Sequence, residues 1–549
     1  MCLGRSFPAW QAETIRSLLG IPEVSIDLLI VQERASDGVG KVARVLARPK
    51  HLLWNLYNKA LVQRRSAASR HVDLTDELAA TPEIRCIPIK VGKYGERLSD
   101  EDVDRVQQCD LDLILRFGFG ILKGAILESA RYGIWSFHHG DERLYRGQPP
   151  AFWEMFNGAP VVGAILQRIT ERLDAGTVLH RGQFGIVSHS YRRTRDEVFM
   201  ASSDFPSIAI RRILNGDLSW VSAPPSSTNA PLRRAPGNWE MVRFWFRQAA
   251  AFLRAQWNGL AKASKWTIGV AQVPVSSLID ADLPPISWMP EQGSDRYFAD
   301  PFPDPKGISS MVLVEDYDHG SHRGVISAID LNGDGQARVV LDTGMHASYP
   351  CLFEHDDALY CAPETYQARE VRIYRSEVFP DKWELAGTIL EGLAVLDPTI
   401  FRHEDRWWLL CTLEGKYSNT KLYAFHSTDL LEGWKPHDLN PIKADITSSR
   451  PAGLPFTVDG DLYRPAQDSS RSYGGAIAIN RVDKLTPMTF SETTVNRIKP
   501  PDSGTYRAGI HTVSEYGQAT VVDGRRDVFL FSAFRRELSA RLKRAFRRR

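Results

Sequence analysis

The chain has 549 residues, 43% hydrophobic and 24% charged, which is ordinary for a globular protein and long enough for several domains. No apolar run reaches the roughly 20 residues of a transmembrane helix, and the start lacks the basic and apolar regions of a secretory signal. The formal net charge is +2, but the last fifteen residues carry eight Arg or Lys and one Glu, so that this tail is +7 and the rest is −5.

Six cysteines are scattered along the chain and form no Cys-x-x-Cys pair. This usage predicts reduced thiols, a cytoplasmic location and no structural zinc site or other metal site. The cysteines are Cys2, Cys86, Cys109, Cys351, Cys361 and Cys411.

The N-terminal third alternates helical and strand patterns. A helix is predicted near Trp10–Leu19, and short strands at Ser25–Val31, Ile84–Ile89, Leu111–Leu115 and Gly133–Phe137. Alternation of this kind predicts a parallel sheet with helices on both faces, and ligands bind in loops beyond the carboxyl ends of such strands. The Arg116–Gly120 turn and the loop at His138 fit that place.

Polar residues with catalytic potential lie in two short stretches. Ser136-Phe137-His138-His139-Gly140-Asp141 is followed by Tyr145-Arg146-Gly147 and, later, by Leu173-Asp174-Ala175-Gly176. A His and an Asp on loops can take a proton from an amine while a donor holds a developing oxyanion. Spacing alone leaves a structural, His-rich loop as the alternative.

The same residues resemble the signature of the folate-dependent formyltransferases. Matching positions are His138, Tyr145-Arg146-Gly147, Pro149, Trp153 and Asp174. The resemblance implies an α/β, Rossmann-like domain that uses 10-formyltetrahydrofolate as formyl donor. It also implies that His138 and Ser136 stabilise the oxyanion and that Asp174 takes the proton. The pterin pocket would be lined by Arg116, Phe117, Gly118, Phe119 and Gly120.

Two features depart from this family. Ser136 stands where the family has an Asn, and a Ser hydroxyl is a shorter, single donor. The start at Met1 also leaves almost no room for the family's first strand, which predicts a remnant strand or a truncated gene start.

Residues 221–238 have the Pro- and Ser-rich composition of a linker. A helix candidate from Trp239 to Lys265 mixes aromatic residues with cations, a pattern that suits either a membrane interface or packing between domains. The basic tail after Phe534 predicts a peripheral contact with anionic lipid, with nucleic acid or a solvated end as alternatives.

From Trp266 onward, a unit of short strands recurs every 48 to 59 residues, starting near Asp300-Pro301, Tyr349-Pro350, Asp397-Pro398, Arg450-Pro451 and Gly509-Ile510. A period near 50 predicts a propeller with one four-stranded blade per unit, hence five blades. The domain prediction is therefore 1–220 formyltransferase-like, 221–268 linker and amphipathic helix, 269–533 five-bladed β-propeller, and 534–549 basic tail.

This half resembles the five-bladed propeller of some glycoside hydrolases and of plant glucosamine inositolphosphorylceramide transferases. The matching pieces are Phe298-Ala299-Asp300-Pro301-Phe302, Pro363-Glu364, Leu396-Asp397-Pro398 and Arg464-Pro465-Ala466-Gln467-Asp468. The hydrolase resemblance implies that Asp300 and Asp397 are two of three funnel carboxylates. The acid Glu expected near Arg450 is missing, and Glu364 lies one blade too early. A sugar-binding funnel is therefore favoured over hydrolysis, with Arg450 and Arg464 as anion-binding candidates.

These features predict an N-formyltransferase that acts on an amino sugar or glycan in polysaccharide biosynthesis. The location would be cytoplasmic or peripheral at the inner face of the membrane, and nucleic acid is not an expected partner. The alternatives are a glycan-binding protein with a degenerate formyltransferase domain, and a propeller that acts as a glycosidase or transfers glycosyl groups.

Overall fold

A computed structural model describes residues 1–33, 49–92, 94–171, 176–291, 293, 295–529, 534–535 and 538–539. Two compact units divide the chain, Met1–Phe252 (the N-terminal unit) and Leu253–Arg549 (the C-terminal unit). The division falls within the predicted segment 221–268. Among the described residues, no helix has the length and apolar character needed to cross a membrane. Most of the predicted basic tail lies outside the described residues.

The N-terminal unit mixes helices and short strands. Its helices are α1 Ala9–Leu19, α2 Leu52–Tyr57, α3 Asp100–Gln107, α4 Phe152–Asn157, α5 Tyr191–Ala201, α6 Phe205–Leu214 and α7 Asn238–Ala261, the last of which runs across the division. Its strands are β1 Ser6–Pro8, β2 Leu29–Gln32, β3 His71–Asp73, β4 Glu83–Cys86, β5 Ile89–Val91, β6 Gly95–Arg97, β7 Ile114–Arg116, β8 Ile121–Leu122, β9 Ile134–His138, β10 Arg146–Gly147, β11 Val161–Arg168, β12 Thr177–Gly185 and β13 Leu232–Arg233.

The main sheet of this unit is mixed, with strand order β12-β11-β9-β7. The predicted parallel pairing occurs between β7 and β9 and, in a separate pair, between β2 and β4. In contrast, β11 runs antiparallel to both β9 and β12. The connection between β11 and β12 is too short for the crossover that parallel strands need, whereas the β7–β9 connection is long enough. The register sets Arg116 beside Ser136 at the ends of β7 and β9.

The first residues lie between β2 and β7. Cys2 forms a parallel bridge with Val31, and its N–H donates to the carbonyl of Ile30 at 2.9 Å. The carbonyl of Met1 accepts the N–H of Phe117 at 2.9 Å. The short stretch at the start thus pairs with strands on both sides.

The C-terminal unit is built from strands, which confirms a multidomain chain with a β-rich second part. Its strands are β14 Ala263–Ala271, β15 Ser287–Trp288, β16 Arg296–Pro303, β17 Met311–Asp318, β18 Arg323–Asp330, β19 Ala337–Leu341, β20 Ser348–His355, β21 Ala358–Glu364, β22 Val371–Val378, β23 Lys382–Ile389, β24 Val395–His403, β25 Arg406–Leu413, β26 Lys421–Ser427, β27 Lys435–Pro436, β28 Lys443–Ala444, β29 Phe456–Val458, β30 Asp461–Asp468, β31 Ala476–Leu485, β32 Phe490–Ile498, β33 Val513–Tyr516 and β34 Ala519–Val528.

These strands form antiparallel sheets that follow the sequence repeat. The strand orders are β15-β14-β34-β33, β16-β17-β18-β19, β20-β21-β22-β23, β24-β25-β26-β27 with β28 beside β26, and β29-β30-β31-β32. One sheet joins the first strands of the unit to the last, because β14 pairs with β34 along nine residues.

Three of the predicted repeat starts share one backbone device. Asp300, Tyr349 and Asp397 each precede a proline in the first strand of a sheet, and each stands at a register shift. Their φ angles are +52°, +44° and +48°, in the left-handed region that residues other than glycine rarely adopt. A β-bulge tolerates the proline and redirects the preceding side chain, so the repeat places Asp300 and Asp397 in equivalent positions.

Candidate functional site

Four buried carboxyl groups gather in the C-terminal unit, and we call Asp300, Glu315, Glu364 and Asp397 the acidic cluster. Asp300 and Asp397 come from the bulges of β16 and β24, and Glu364 is the last residue of β21. Burial of several like charges is costly unless protons or cations compensate them. The cluster contains both kinds of compensation.

Arg450 balances the charge of Asp397. Its Nη2 donates to Asp397 Oδ1 at 3.0 Å, and its Nε donates to Oδ2 at 2.5 Å, which is a bidentate pair. The Gln467 amide donates to the same carboxylate at 2.9 Å. The Arg450 guanidinium also lies 5.1 Å from the ring centre of Tyr473, whose side chain is 42% exposed. Asp397 is therefore held in one orientation within the cluster.

Gln467 carries an unused acceptor beside this pair. Its side chain is 1% exposed, and its Nε2 donates to Asp397 and to the carbonyl of Pro451. Its Oε1 has no hydrogen-bond partner among the described residues. A buried, unsatisfied oxygen costs free energy, and a ligand hydroxyl would relieve that cost.

Glu364 lies beside both Asp397 and Arg450, and its Oε2 is 3.8 Å from Arg450 Nη2. Burial raises the pKa of Glu364 well above the ordinary range, and the Asp397 carboxylate raises it further. The N–H of Asp397 donates to Glu364 Oε2 at 2.9 Å. A carboxyl group with a raised pKa next to a carboxylate paired with arginine is the kind of asymmetry that separates a proton donor from its partner.

Asp300 lies at the other side of the cluster. Burial raises its pKa to about 6, an effect that His511 opposes and the carboxylate of Asp397 reinforces. Thr512 Oγ1 donates to Asp300 Oδ1 at 2.7 Å. The hydrogen bonds that reach Asp300 and Asp397 thus include donors from other side chains.

His511 and Asp523 tie Asp300 to the sheet of β34. The three potential ligand atoms lie within 4.8 Å of one another, close enough for a cation. However, Asp523 already accepts the backbone N–H groups of Asp300, His511 and Thr512, and His511 Nδ1 lies 2.5 Å from its Oδ2. We therefore assign Asp523 to a clamp between strands.

Glu315 was missed by the sequence reading. It lies in β17 opposite Ala299, the neighbour of Asp300. Burial raises its pKa well above the ordinary range, and the neighbouring acidic side chains of Asp300 and Glu364 add to the effect. The available signal was the acidic pair that follows the apolar run Met311–Val314 within one strand.

Arg464 does not join the acidic cluster. Its Nη2 and Nε donate to Glu492 at 2.7 and 2.9 Å, and its remaining donors reach the carbonyls of Ser448 and Ser449. Arg464 is 1% exposed. Of the five funnel residues predicted from the sequence, the structure brings together Asp300, Glu364, Asp397 and Arg450.

A cavity of about 330 Å³ lies in the N-terminal unit. Its lining includes most of the residues predicted there: Arg116, Phe117, Gly118, Phe119, Ser136 and His138. Gly120 is not among the lining residues, and its N–H donates to Glu96 Oε2 at 2.6 Å. Asp174 lies outside the described residues.

The hydroxyl oxygen of Ser136 is hydrogen-bonded to Arg116. The Arg116 Nη2 and Nε lie 2.9 and 3.2 Å from Ser136 Oγ, which accepts from them. His138 Nε2 lies 3.1 Å from the carbonyl of Tyr145. The Ser136 oxygen thus accepts hydrogen bonds from a cation. The sequence had predicted instead that this hydroxyl group donates to the substrate.

Two titratable neighbours were not chosen from the sequence. His139 stacks on Phe199 with ring centres 3.8 Å apart, and burial lowers its pKa to about 3. Its Nε2 has no hydrogen-bond partner in the described part of the chain. Burial also raises the pKa of Glu154 to about 7. The two pKa shifts result from burial, which the sequence alone does not show.

Comparisons with known proteins bear mainly on the C-terminal unit. The family described as glucosamine inositolphosphorylceramide transferase 1, N-terminal, matches residues 294–507. The C-terminal unit is similar to these transferases. The rice (Oryza sativa subsp. japonica) protein is 30% identical over 210 residues, which cover 37% of this chain and 28% of that protein. The Arabidopsis thaliana protein is 27% identical over 272 residues, covering 47% and 34%. The chain thus spans about a third or less of these relatives.

Partial similarities extend to other proteins. Methionyl-tRNA formyltransferase of Prochlorococcus marinus is 33% identical over 86 residues, covering 16% of this chain and 26% of that protein. Among solved structures, an exo-β-1,3-galactanase from Clostridium thermocellum covers 40% of this chain and 58% of its own, with 11% identity and a TM-score of 0.31. Glycinamide ribonucleotide transformylase 1 from Symbiobacterium toebii covers 39% and 86%, with 13% identity and a TM-score of 0.27.

The prediction of a formyltransferase is wrong. The transferase relatives match a larger share of the chain, 37 to 47%, than the 16 to 24% matched by formyltransferases. The predicted resemblance to glucosamine inositolphosphorylceramide transferases is confirmed. Resemblance to formyltransferases in the N-terminal part therefore indicates distant similarity and not the reaction.

Proposed function

We propose that this protein takes part in glycosyl transfer in glycolipid synthesis and that its acidic cluster binds the sugar. The observation that carries the proposal is the similarity over residues 294–507 to transferases named for glucosamine and inositolphosphorylceramide. That range includes the whole acidic cluster together with Arg450 and Gln467. We also infer that the five antiparallel sheets are the blades of the propeller expected from the repeat.

The chemistry available in the cluster suits a sugar. Glu364, kept neutral by burial, would donate a proton to the oxygen that leaves the sugar carbon. Asp300 would accept the proton of the incoming hydroxyl group, since a carboxyl with a pKa of about 6 is mostly ionised at pH 7. The free Oε1 of Gln467 would accept a sugar hydroxyl, and the pair of Asp397 with Arg450 would orient it.

The test uses the full chain with vesicles that contain inositolphosphorylceramide, and UDP-glucosamine as the probe donor. We expect a glycosylated ceramide by mass spectrometry, with Asp300→Asn at least tenfold slower because Asn keeps the hydrogen bond from Thr512 but cannot accept a proton. The wild-type rate should fall as the pH drops through about 6. The control is Asp405→Asn, whose side chain is 72% exposed, and it should match the wild type.

Binding without chemistry is the second candidate. The matched family is an N-terminal region, and the match covers only 28% of the rice relative. A unit that binds the glycolipid without transferring sugar is consistent with this partial match. Calorimetry with glucosamine and inositol 1-phosphate separates the two. Binding that weakens in Asp300→Asn, with no product, selects the second candidate; no binding and no product contradict both.

The cavity of the N-terminal unit carries a separate proposal, binding of 10-formyltetrahydrofolate without formyl transfer. The unsatisfied Nε2 of His139 among the lining residues would accept an N–H of a pterin ring. We expect 5-formyltetrahydrofolate, a stable analogue, to bind the full chain, and Phe199→Ala to weaken binding about tenfold because Phe199 stacks on His139. Equal affinity of both proteins, or no binding to either, contradicts the proposal.

A further inference from the structure

Helix α7 presents large apolar side chains to solvent. Trp239 is 71% exposed, Phe246 74%, Leu253 67% and Trp257 65%. These residues are seven, seven and four positions apart, and a helix returns to the same side about every 3.6 residues. They therefore share one side of the helix, which we call the exposed apolar face.

The opposite side already anchors the helix to the N-terminal unit. Met241 and Phe244 are buried, and Phe244 packs on Phe152 with ring centres 4.6 Å apart. The hydroxyl of Tyr57 donates to the Gln248 side chain at 3.3 Å. The exposed apolar face lies on the side of the helix away from these contacts.

Cations border the exposed apolar face along one edge. Arg243, Arg247 and Arg254 are exposed, and the first two hold their guanidinium groups 5.6 and 5.3 Å from the ring centre of Phe156. Within the helix sequence the acidic residue is Glu240, whose carboxylate accepts the N–H of Gly237 at the helix start. Along this edge of the helix, three arginines thus outnumber one glutamate.

We propose that α7 lies in the interface of an anionic lipid bilayer, with the exposed apolar face inserted and the arginines at the headgroups. Two tryptophans, a phenylalanine and a leucine on one face suit the boundary between headgroups and acyl chains. The arginine edge adds attraction to anionic lipid. Soluble proteins rarely expose large apolar side chains as a group, so we expect a partner to cover this face. The adjacent arginines favour an anionic membrane as that partner.

The test is flotation of the full-length protein with vesicles of phosphatidylcholine containing 30% phosphatidylserine, and with phosphatidylcholine alone. We expect binding to the mixed vesicles with a blue shift of tryptophan fluorescence, and at least tenfold weaker binding to phosphatidylcholine or in 0.5 M salt. Phe246→Glu should lower binding at least tenfold. The matched control is Ile308→Glu, since Ile308 is 81% exposed but lies in the C-terminal unit away from the helix sequence.

Several outcomes overturn the proposal. Wild-type protein that does not float, or Phe246→Glu that floats like Ile308→Glu, would do so; the second result would assign the contact to the basic tail, which both variants retain. A dimer in analytical ultracentrifugation that Phe246→Glu dissociates, with no flotation of wild type, would assign the face to a second copy. Sugar binding by the acidic cluster is measured independently, so the two proposals fail separately.

Discussion

Replacing Glu364 by Gln is expected to leave the fold intact and to slow sugar transfer by about 10²–10⁴-fold, the usual contribution of a positioned proton donor. Burial and the nearby Asp397 raise the pKa of Glu364 well above its ordinary range, which favours the protonated form. Gln has the same shape as the neutral acid, and its oxygen can still accept the N–H of Asp397. The variant therefore removes the proton and little else.

Initial rates with the vesicle substrate measure the loss of sugar transfer. Calorimetric unfolding tests whether the fold is intact. The folded variant should bind the donor with similar affinity, so that the loss appears in kcat. Wild-type rates in Glu364→Gln would show that another group donates the proton. Asp405→Asn again serves as the control, because it changes a carboxylate to an amide at a side chain that is 72% exposed.

The largest stability effect is expected at Glu492. This carboxylate accepts from Arg464 and from Lys443, whose Nζ lies 2.5 Å away, and all three groups are buried or nearly so. Changing Glu492 to Gln leaves two cations without their counter-charge. Breaking a buried ion pair by removing one partner costs about 3–5 kcal/mol, and we expect that loss in the free energy of unfolding of the C-terminal unit.

The same pair makes stability depend on acid. Arg464 and Lys443 lower the pKa of Glu492 from 4.5 to about 2, against the opposing effect of burial. The stabilisation is therefore present above pH 4.5 and is lost as the pH falls toward 2. Urea unfolding at several pH values should show a smaller loss over this window in Glu492→Gln than in the wild type.

A surface pair provides the comparison. Glu377 pairs with Lys382 at the surface, where the two side chains are 37% and 71% exposed. Glu377→Gln should cost less than about 1 kcal/mol, because solvent screens exposed pairs. An equal cost at Glu377 and Glu492 would contradict the assignment of a buried, stabilising pair.

Local patterns predicted the elements better than their partners. The helix expected near Trp10–Leu19 is observed at Ala9–Leu19, and the strand expected at Gly133–Phe137 is observed at Ile134–His138. The parallel sheet was predicted only in part, since the alternation of elements does not show how β11 and β12 pair. That pairing depends on the short connection between β11 and β12, whose length was not considered in the prediction.

At the candidate site, the resemblance to hydrolase propellers identified Asp300 and Asp397, each of which precedes the proline that starts a repeat unit. Arg450 was also identified, but its bidentate contact with Asp397 joins residues 53 positions apart. Arg464 looked equally suitable in the sequence, yet its side chain meets Glu492 instead. Which charge each arginine meets depends on how the strands pack.

The sequence by itself determined that the chain has an α/β part and a repeated β part, because hydrophobic periodicity and turn residues act locally. It also carried the similarity that underlies the proposed function. Only the tertiary structure decided that Glu315 joins the acidic cluster, that the Arg116 guanidinium donates to the Ser136 hydroxyl oxygen, and that Trp239, Phe246 and Trp257 of α7 are exposed. Protonation and exposure depend on neighbours distant in sequence, so burial and opposing charges became known only when the strands and helices were placed together.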